Sequence, residues 1–174
     1  MEHESLALAK EINRVSRLHG EFRLRSGSTS AEYFDKYQFE SDPKLLNAIA
    51  GALADLLPSG IDALAGLELG GVPVATALSL RTGLPVVFVR KQAKSYGTCR
   101  LAEGCEIAGR RLLIVEDVVT SGGQVLESCA ELRRAGAIVD DVVCVIDRQA
   151  GGVKALSSRG LRLRSLFTKS DLDG

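Results

Sequence analysis

Tryptophan is absent from the 174 residues, methionine occurs once and histidine twice, and no metal-ligand cluster appears in the chain. A net charge is missing as well. Lys plus Arg and Asp plus Glu each number 22, which leaves no overall field to draw the chain to nucleic acid or to a membrane surface and points to small-molecule partners. Apolar runs are broken by charge or glycine before the ~18 residues that a membrane helix requires, and Met1 is followed by Glu-His-Glu rather than by a basic segment and an apolar core. The four cysteines (Cys99, Cys105, Cys129 and Cys144) form no CxxC pair and match no common zinc spacing, so they are expected to be reduced thiols of a cytoplasmic protein. Repeats, low-complexity tracts and linkers are not found, and the length suits one domain over 1–174.

The apolar spacing places a helix over 4–18, closed by His19-Gly20. Aromatic residues from Phe22 to Phe39, interrupted by Ser26-Gly27-Ser28, predict two short strands that with the first helix make a small N-terminal cap over 1–40. Asp42-Pro43 reads as N-cap and first turn of a helix running to Pro58. Beyond it, apolar runs at 63–67, 85–89, 112–115, 142–146 and 161–167 alternate with helical segments at 72–82, 123–135 and 151–158. That alternation predicts an α/β core over 41–174, a mainly parallel twisted sheet flanked by helices and wound by right-handed crossovers. The polar stretch from Lys91 to Glu106 is long for a connection inside a compact domain, and such segments are functional or disordered, so it needs an explanation.

The most informative string is Leu112-Leu113-Ile114-Val115-Glu116-Asp117-Val118-Val119-Thr120-Ser121-Gly122-Gly123, followed by Gln124. It reads as a buried strand ending in two carboxylates and entering a glycine-rich helix start. Free backbone N–H groups at such a start attract a phosphate, and the carboxylates of Glu116 and Asp117 stand as acceptors for two ribose hydroxyls. Thr120-Ser121-Gly122 alone would suit a helix cap equally well. The whole string, however, closely resembles the signature of the type I phosphoribosyltransferases.

Three further segments resemble the orotate branch of that family. Gly20-Glu21-Phe22-Arg23-Leu24-Arg25-Ser26-Gly27 with Tyr33-Phe34 is similar to an N-terminal motif whose backbone and aromatic residues cover the base, with Arg25 where lysine is often found. Arg90-Lys91-Gln92-Ala93-Lys94-Ser95-Tyr96-Gly97 resembles the family's catalytic loop; the resemblance makes Arg90, Lys91 and Lys94 catalytic together with Asp117, and gives Tyr96 to diphosphate binding. Arg148, just past a buried strand, matches the family's orotate-binding arginine, whose planar fork suits a carboxylate. Gly66 to Ala75 is similar to the family's diphosphate loop, with Gly70 where some relatives carry lysine.

What the resemblance implies is transfer of the phosphoribosyl group of 5-phospho-α-D-ribose 1-diphosphate to orotate, in a homodimer whose loop 91–104 reaches the neighbouring active site. Mg2+ would be held mainly by the substrate rather than by protein side chains. Arg148 and the basic loop speak against a purine-specific relative, and the loop cations with neutral charge against a non-catalytic regulator.

Overall fold

The computed structural model describes residues 2–23, 27–91 and 101–174. Helix α1 (Glu2–Ser16) leads into strands β1 (Arg17–Arg23) and β2 (Thr29–Phe34), an antiparallel pair forming a sheet of its own. Then come helices α2 (Tyr37–Ser41) and α3 (Pro43–Ala54), strand β3 (Ala63–Leu67), helix α4 (Gly71–Thr82) and strands β4 (Val86–Val89) and β5 (Ala102–Gly104). The chain continues through β6 (Arg111–Val119), α5 (Gly123–Arg134), β7 (Ile138–Asp147), α6 (Gly152–Ser157), β8 (Arg162–Thr168) and α7 (Lys169–Asp173). The main sheet has the order β5-β4-β3-β6-β7-β8, parallel throughout except for β5 on one edge.

Strand β6 lies at the centre, and its period-two alternation splits the core in two. Leu113 and Val115 pack with Leu64, Val143 and Val145 under α1, α3 and α4, where Ile12, Ile49, Leu53, Val74 and Leu78 are fully buried. Leu112 and Ile114 face the other way with Val142 and Cys144, toward Val125, Cys129 and Leu132 of α5 and Leu156 of α6. A sheet covered on both faces needs strands apolar on both, which is why its strands read as continuous hydrophobic runs. Cys105, Cys129 and Cys144 are free thiols, and burial pushes the thiols of Cys129 and Cys144 up from the usual range; Cys99 lies outside the described residues.

Local chemistry sets the element ends. Asp42 caps α3, its Oδ1 accepting from the Lys44 and Leu45 amides at 2.8 and 3.1 Å ahead of Pro43 in the first turn. The same helix stops at Ala54 instead of running to Pro58, because the Leu56 and Leu57 amides turn back to Leu53 and Ala54.

Several expected boundaries move. Arg17 and Leu18 belong to β1, paired with Phe34 and Tyr33, so the first helix ends two residues early. Residues 37–41 form a helix, not a strand: Phe39 is driven into the core between α1 and α3, and a one-and-a-half-turn helix delivers it there. β6 runs through its two carboxylates to Val119, since pairing with β7 continues to Val119↔Asp147. The N-terminal helix is also more than a cap, for Ala9 and Ile12 share one core with α3 and α4, and Asn13 donates to the Leu172 carbonyl at 2.8 Å.

Candidate active site

A cavity of about 1050 Å³ opens beyond the carboxyl ends of β3, β6 and β7. Its floor is the end of β6 and the turn into α5, residues 116–124. Gly122 adopts a left-handed conformation (φ 81°) that lets the chain swing from strand to helix, and no side chain caps α5. The first-turn amides of that helix are therefore left to a ligand, as an anion site requires. Arg148 leaves β7 with its amide donating to the Val119 carbonyl at 2.9 Å, which fixes it beside this turn. Its guanidinium lies 5.5 Å from the centroid of the Phe34 ring, a cation over an aromatic face. Tyr33 stacks at 5.6 Å on Phe22 across the β1–β2 pair and lines the same cavity.

The opposite wall is the turn from β3 into α4. Glu68, Leu69 and Gly70 line it, and the Glu68 carboxylate accepts from the Lys91 amide at 3.0 Å. A Cβ at Gly71 would stand 2.3 Å from the Val115 carbonyl oxygen, so glycine is required there, and one at Gly70 would stand 1.8 Å from Asp117 Oδ2 and would displace that carboxylate.

The structure thus brings Tyr33, Phe34, Lys91, Glu116 to Gln124 and Arg148 around one space. Arg90 is not among the residues facing it; its amide pairs with the Leu101 carbonyl at 2.9 Å and its Nε is buried without a hydrogen-bond partner. Arg25, Lys94 and Tyr96 lie outside the described residues. The last part of the 91–104 segment belongs to the sheet, since β5 pairs with β4 from Val87↔Gly104 to Val89↔Ala102.

Two residues of the cavity floor escaped the sequence reading. Lys36, between β2 and α2, places Nζ 2.6 Å from Asp117 Oδ2, and Glu40 of α2 is buried beside the same carboxylate. Read as a helix, their i,i+4 spacing puts both on one face, a signal hidden by assigning 37–39 to a strand.

Together they change the electrostatics expected of the floor. Burial first, then a hydrogen bond to Asp117 and repulsion from it, push the Glu40 carboxyl up to about 9. Burial and the Asp117 charge also raise Glu116 well above the carboxylate range. Asp117 is fully buried, which disfavours its charge, but the Glu40 hydrogen bond and the Lys36 ammonium outweigh burial and hold it below the usual value. Lys36 pays the same burial penalty and is raised overall by Asp117. At neutral pH Asp117 is the anion, clamped between an ammonium and a protonated Glu40, so it is engaged rather than a free acceptor.

Comparison with known proteins follows the same outline. The phosphoribosyl transferase domain family matches residues 37–158. Orotate phosphoribosyltransferase from Nocardioides sp. is 55% identical over 166 residues, covering 95% of this chain and 93% of that one. The crystal structure of Mycobacterium tuberculosis orotate phosphoribosyltransferase with Fe(III) dicitrate superposes with a TM-score of 0.89 at 34% identity, covering 97% of this chain and 98% of that one. The same enzyme in complex with 5-phospho-α-D-ribosyl 1-diphosphate gives 0.85 at 30% identity over 98% and 99% of the two chains.

Proposed function

This chain belongs to the orotate phosphoribosyltransferases of the phosphoribosyl transferase family, and from that premise we propose how its cavity carries out the family's reaction. The reaction transfers the phosphoribosyl group of 5-phospho-α-D-ribose 1-diphosphate to orotate, giving orotidine 5'-phosphate and diphosphate in pyrimidine synthesis. The observation that carries the mechanism is the convergence of an uncapped helix start, two buried carboxylates and Arg148 on a single cavity.

The 5'-phosphate sits against Thr120, Ser121, Gly122 and Gly123 at the start of α5, where open amides and the helix dipole favour an anion. The ribose hydroxyls reach Glu116 and Asp117 on the floor. Orotate lies between Phe34, Tyr33 and Arg148, whose guanidinium forks onto the carboxylate that distinguishes orotate from uracil and from purines. The bond from the anomeric carbon to diphosphate breaks ahead of attack by the orotate ring nitrogen, and positive charge builds on the ribose while negative charge builds on the leaving group. Lys91 and Lys94, with Arg90 behind them, hold the leaving anion, and closure of their loop excludes water from the reactive carbon. Arg25 and Tyr96 assist in holding diphosphate or base.

Beside the cations Lys36, Lys91 and Arg148, the cavity is lined by the oxygen donors Glu68, Glu116, Asp117, Thr120 and Ser121, with no thiol or imidazole among the described residues that line it, a set that fits a hard divalent cation entering with an anionic substrate. Mg2+, held mainly by the substrate beside these oxygen donors, would supply Lewis-acid stabilisation of the departing anion. No helix among the described residues is long and apolar enough to cross a membrane. The working unit is one domain over 1–174 in a cytoplasmic homodimer, with the segment from Lys91 reaching the neighbouring site.

The test is the loss of orotate absorbance on mixing the purified protein with orotate, phosphoribosyl diphosphate and Mg2+, with adenine and hypoxanthine in parallel. Loss that needs all three components, and that disappears in Lys94→Ala and on chelation of the metal, is the expected result. Turnover of a purine in place of orotate would overturn the role given to Arg148.

A further inference from the structure

One corner of the cavity joins three elements that are distant in sequence. The Lys36 ammonium descends from the β2–α2 connection to 2.6 Å from Asp117 Oδ2 while its side chain keeps 34% of its exposure, so it is held at one end and open to the cavity at the other. Its Nζ also lies 5.3 Å from the centroid of the Tyr37 ring. Across from it stands Gly70, where the space a side chain would fill is already taken by the same Asp117 oxygen. The β3–α4 turn therefore contributes backbone and the Glu68 carboxylate but no cation, and the cation at this corner comes from the N-terminal segment instead.

We propose that Lys36 is a diphosphate-binding residue: it neutralises Asp117 while the site is empty and turns its ammonium to the diphosphate oxygens once the ribose hydroxyls occupy Asp117. The proposal rests on the reading of the cavity given above. An ammonium carries three donors, and a single carboxylate oxygen at 2.6 Å uses one of them. The charge balance asks for the same thing. Asp117 is the anion of the floor and the Glu68 carboxylate lines the adjoining wall, so a ligand with several phosphate charges entering there needs a countercharge inside the floor, not only at the loop. Because the lysine starts out paired, the empty site keeps no uncompensated buried charge, and the pairing is exchanged rather than broken when ligand arrives.

The experiment must separate contact with diphosphate from simple neutralisation of Asp117. Inorganic diphosphate with Mg2+ is titrated by calorimetry into wild type, Asp117→Asn and the double variant Asp117→Asn/Lys36→Met. In the Asp117→Asn background the lysine has no carboxylate to neutralise, so its removal reports contact with the ligand alone. The expected result is a further loss of affinity of about tenfold or more, the scale of one charge-assisted hydrogen bond to phosphate. Equal affinities of the single and double variants would overturn the proposal. In turnover, Lys36→Met should raise KM for phosphoribosyl diphosphate more than KM for orotate, with partial recovery in Lys36→Arg; equal rises in both constants would count against it. If wild type failed to turn over orotate while the calorimetric difference held, the substrate reading would fall and the assignment of Lys36 would stand.

Discussion

Replacing Glu40 by glutamine removes one titrating group from the floor and leaves its shape, because an amide N–H donates to Asp117 as the protonated carboxyl does. The folded value, about 9, lies far above the 4.5 of an ordinary glutamate, so the folded protein holds a proton that the unfolded chain gives up. For a raised carboxyl the sign is fixed: its stabilising contribution is complete below the unfolded value and drains away as pH climbs toward the folded one. Between about pH 5 and pH 8 the drain is at most about 1.4 kcal/mol per pH unit, a ceiling of roughly 4 kcal/mol across the range. Asp117 is shifted down, and its contribution is lost only as pH falls through the acid range, outside this window. Glu116 is shifted up in both proteins, so the difference between them isolates Glu40. Urea unfolding of wild type and Glu40→Gln at several pH values across that range should give curves that diverge, with the variant gaining on wild type as pH rises and an unchanged denaturant slope. Parallel curves would mean that no proton is held between Glu40 and Asp117, and the account of the floor would fail.

Two other substitutions probe the walls. Gly71→Ala sets a Cβ 2.3 Å from the Val115 carbonyl in the central strand, where backbone cannot yield cheaply; overpacking of about 1–3 kcal/mol should lower the melting temperature by several degrees, and an unchanged transition would show that the α4 turn moves freely. Arg148→Lys keeps the charge and loses both the fork and the flat contact with Phe34; KM for orotate should rise about tenfold while KM for phosphoribosyl diphosphate stays within about twofold, and equal changes in both would remove Arg148 from the base subsite.

The parallel core was legible because burial on both faces makes a strand such as Leu112 to Val115 apolar at every position, a pattern that survives in one dimension. The same was true of the phosphate turn, since Thr120 to Gly123 carries its chemistry in consecutive residues. What could not be read was whatever depends on where distant segments meet. β5 is three residues of mixed polarity, held by pairing with β4 and not by propensity. Lys36 and Glu40 sit in a run whose aromatic neighbours suggested a strand, and only the burial of Phe39 turns that run into a helix that carries them under Asp117. Free acceptors were expected at Glu116 and Asp117 because their local string shows no cation; the cation arrives from 81 residues away. The placement of Arg148 was readable, its aromatic partner only in outline.

The β4–β5 pairing has an engineering consequence. Val89 faces Ala102, and the Arg90 amide reaches the Leu101 carbonyl, so the two ends of the segment that carries Lys94 lie at adjacent positions of one antiparallel ladder. Its two roots are a fixed gate whose width does not depend on what hangs between them. Residues could be added or removed there at a cost that grows only with the logarithm of length, without disturbing β6 or the phosphate turn. The 92–100 stretch is in that sense a cassette, exchangeable between relatives of different length there, joined to a frame that keeps its own register.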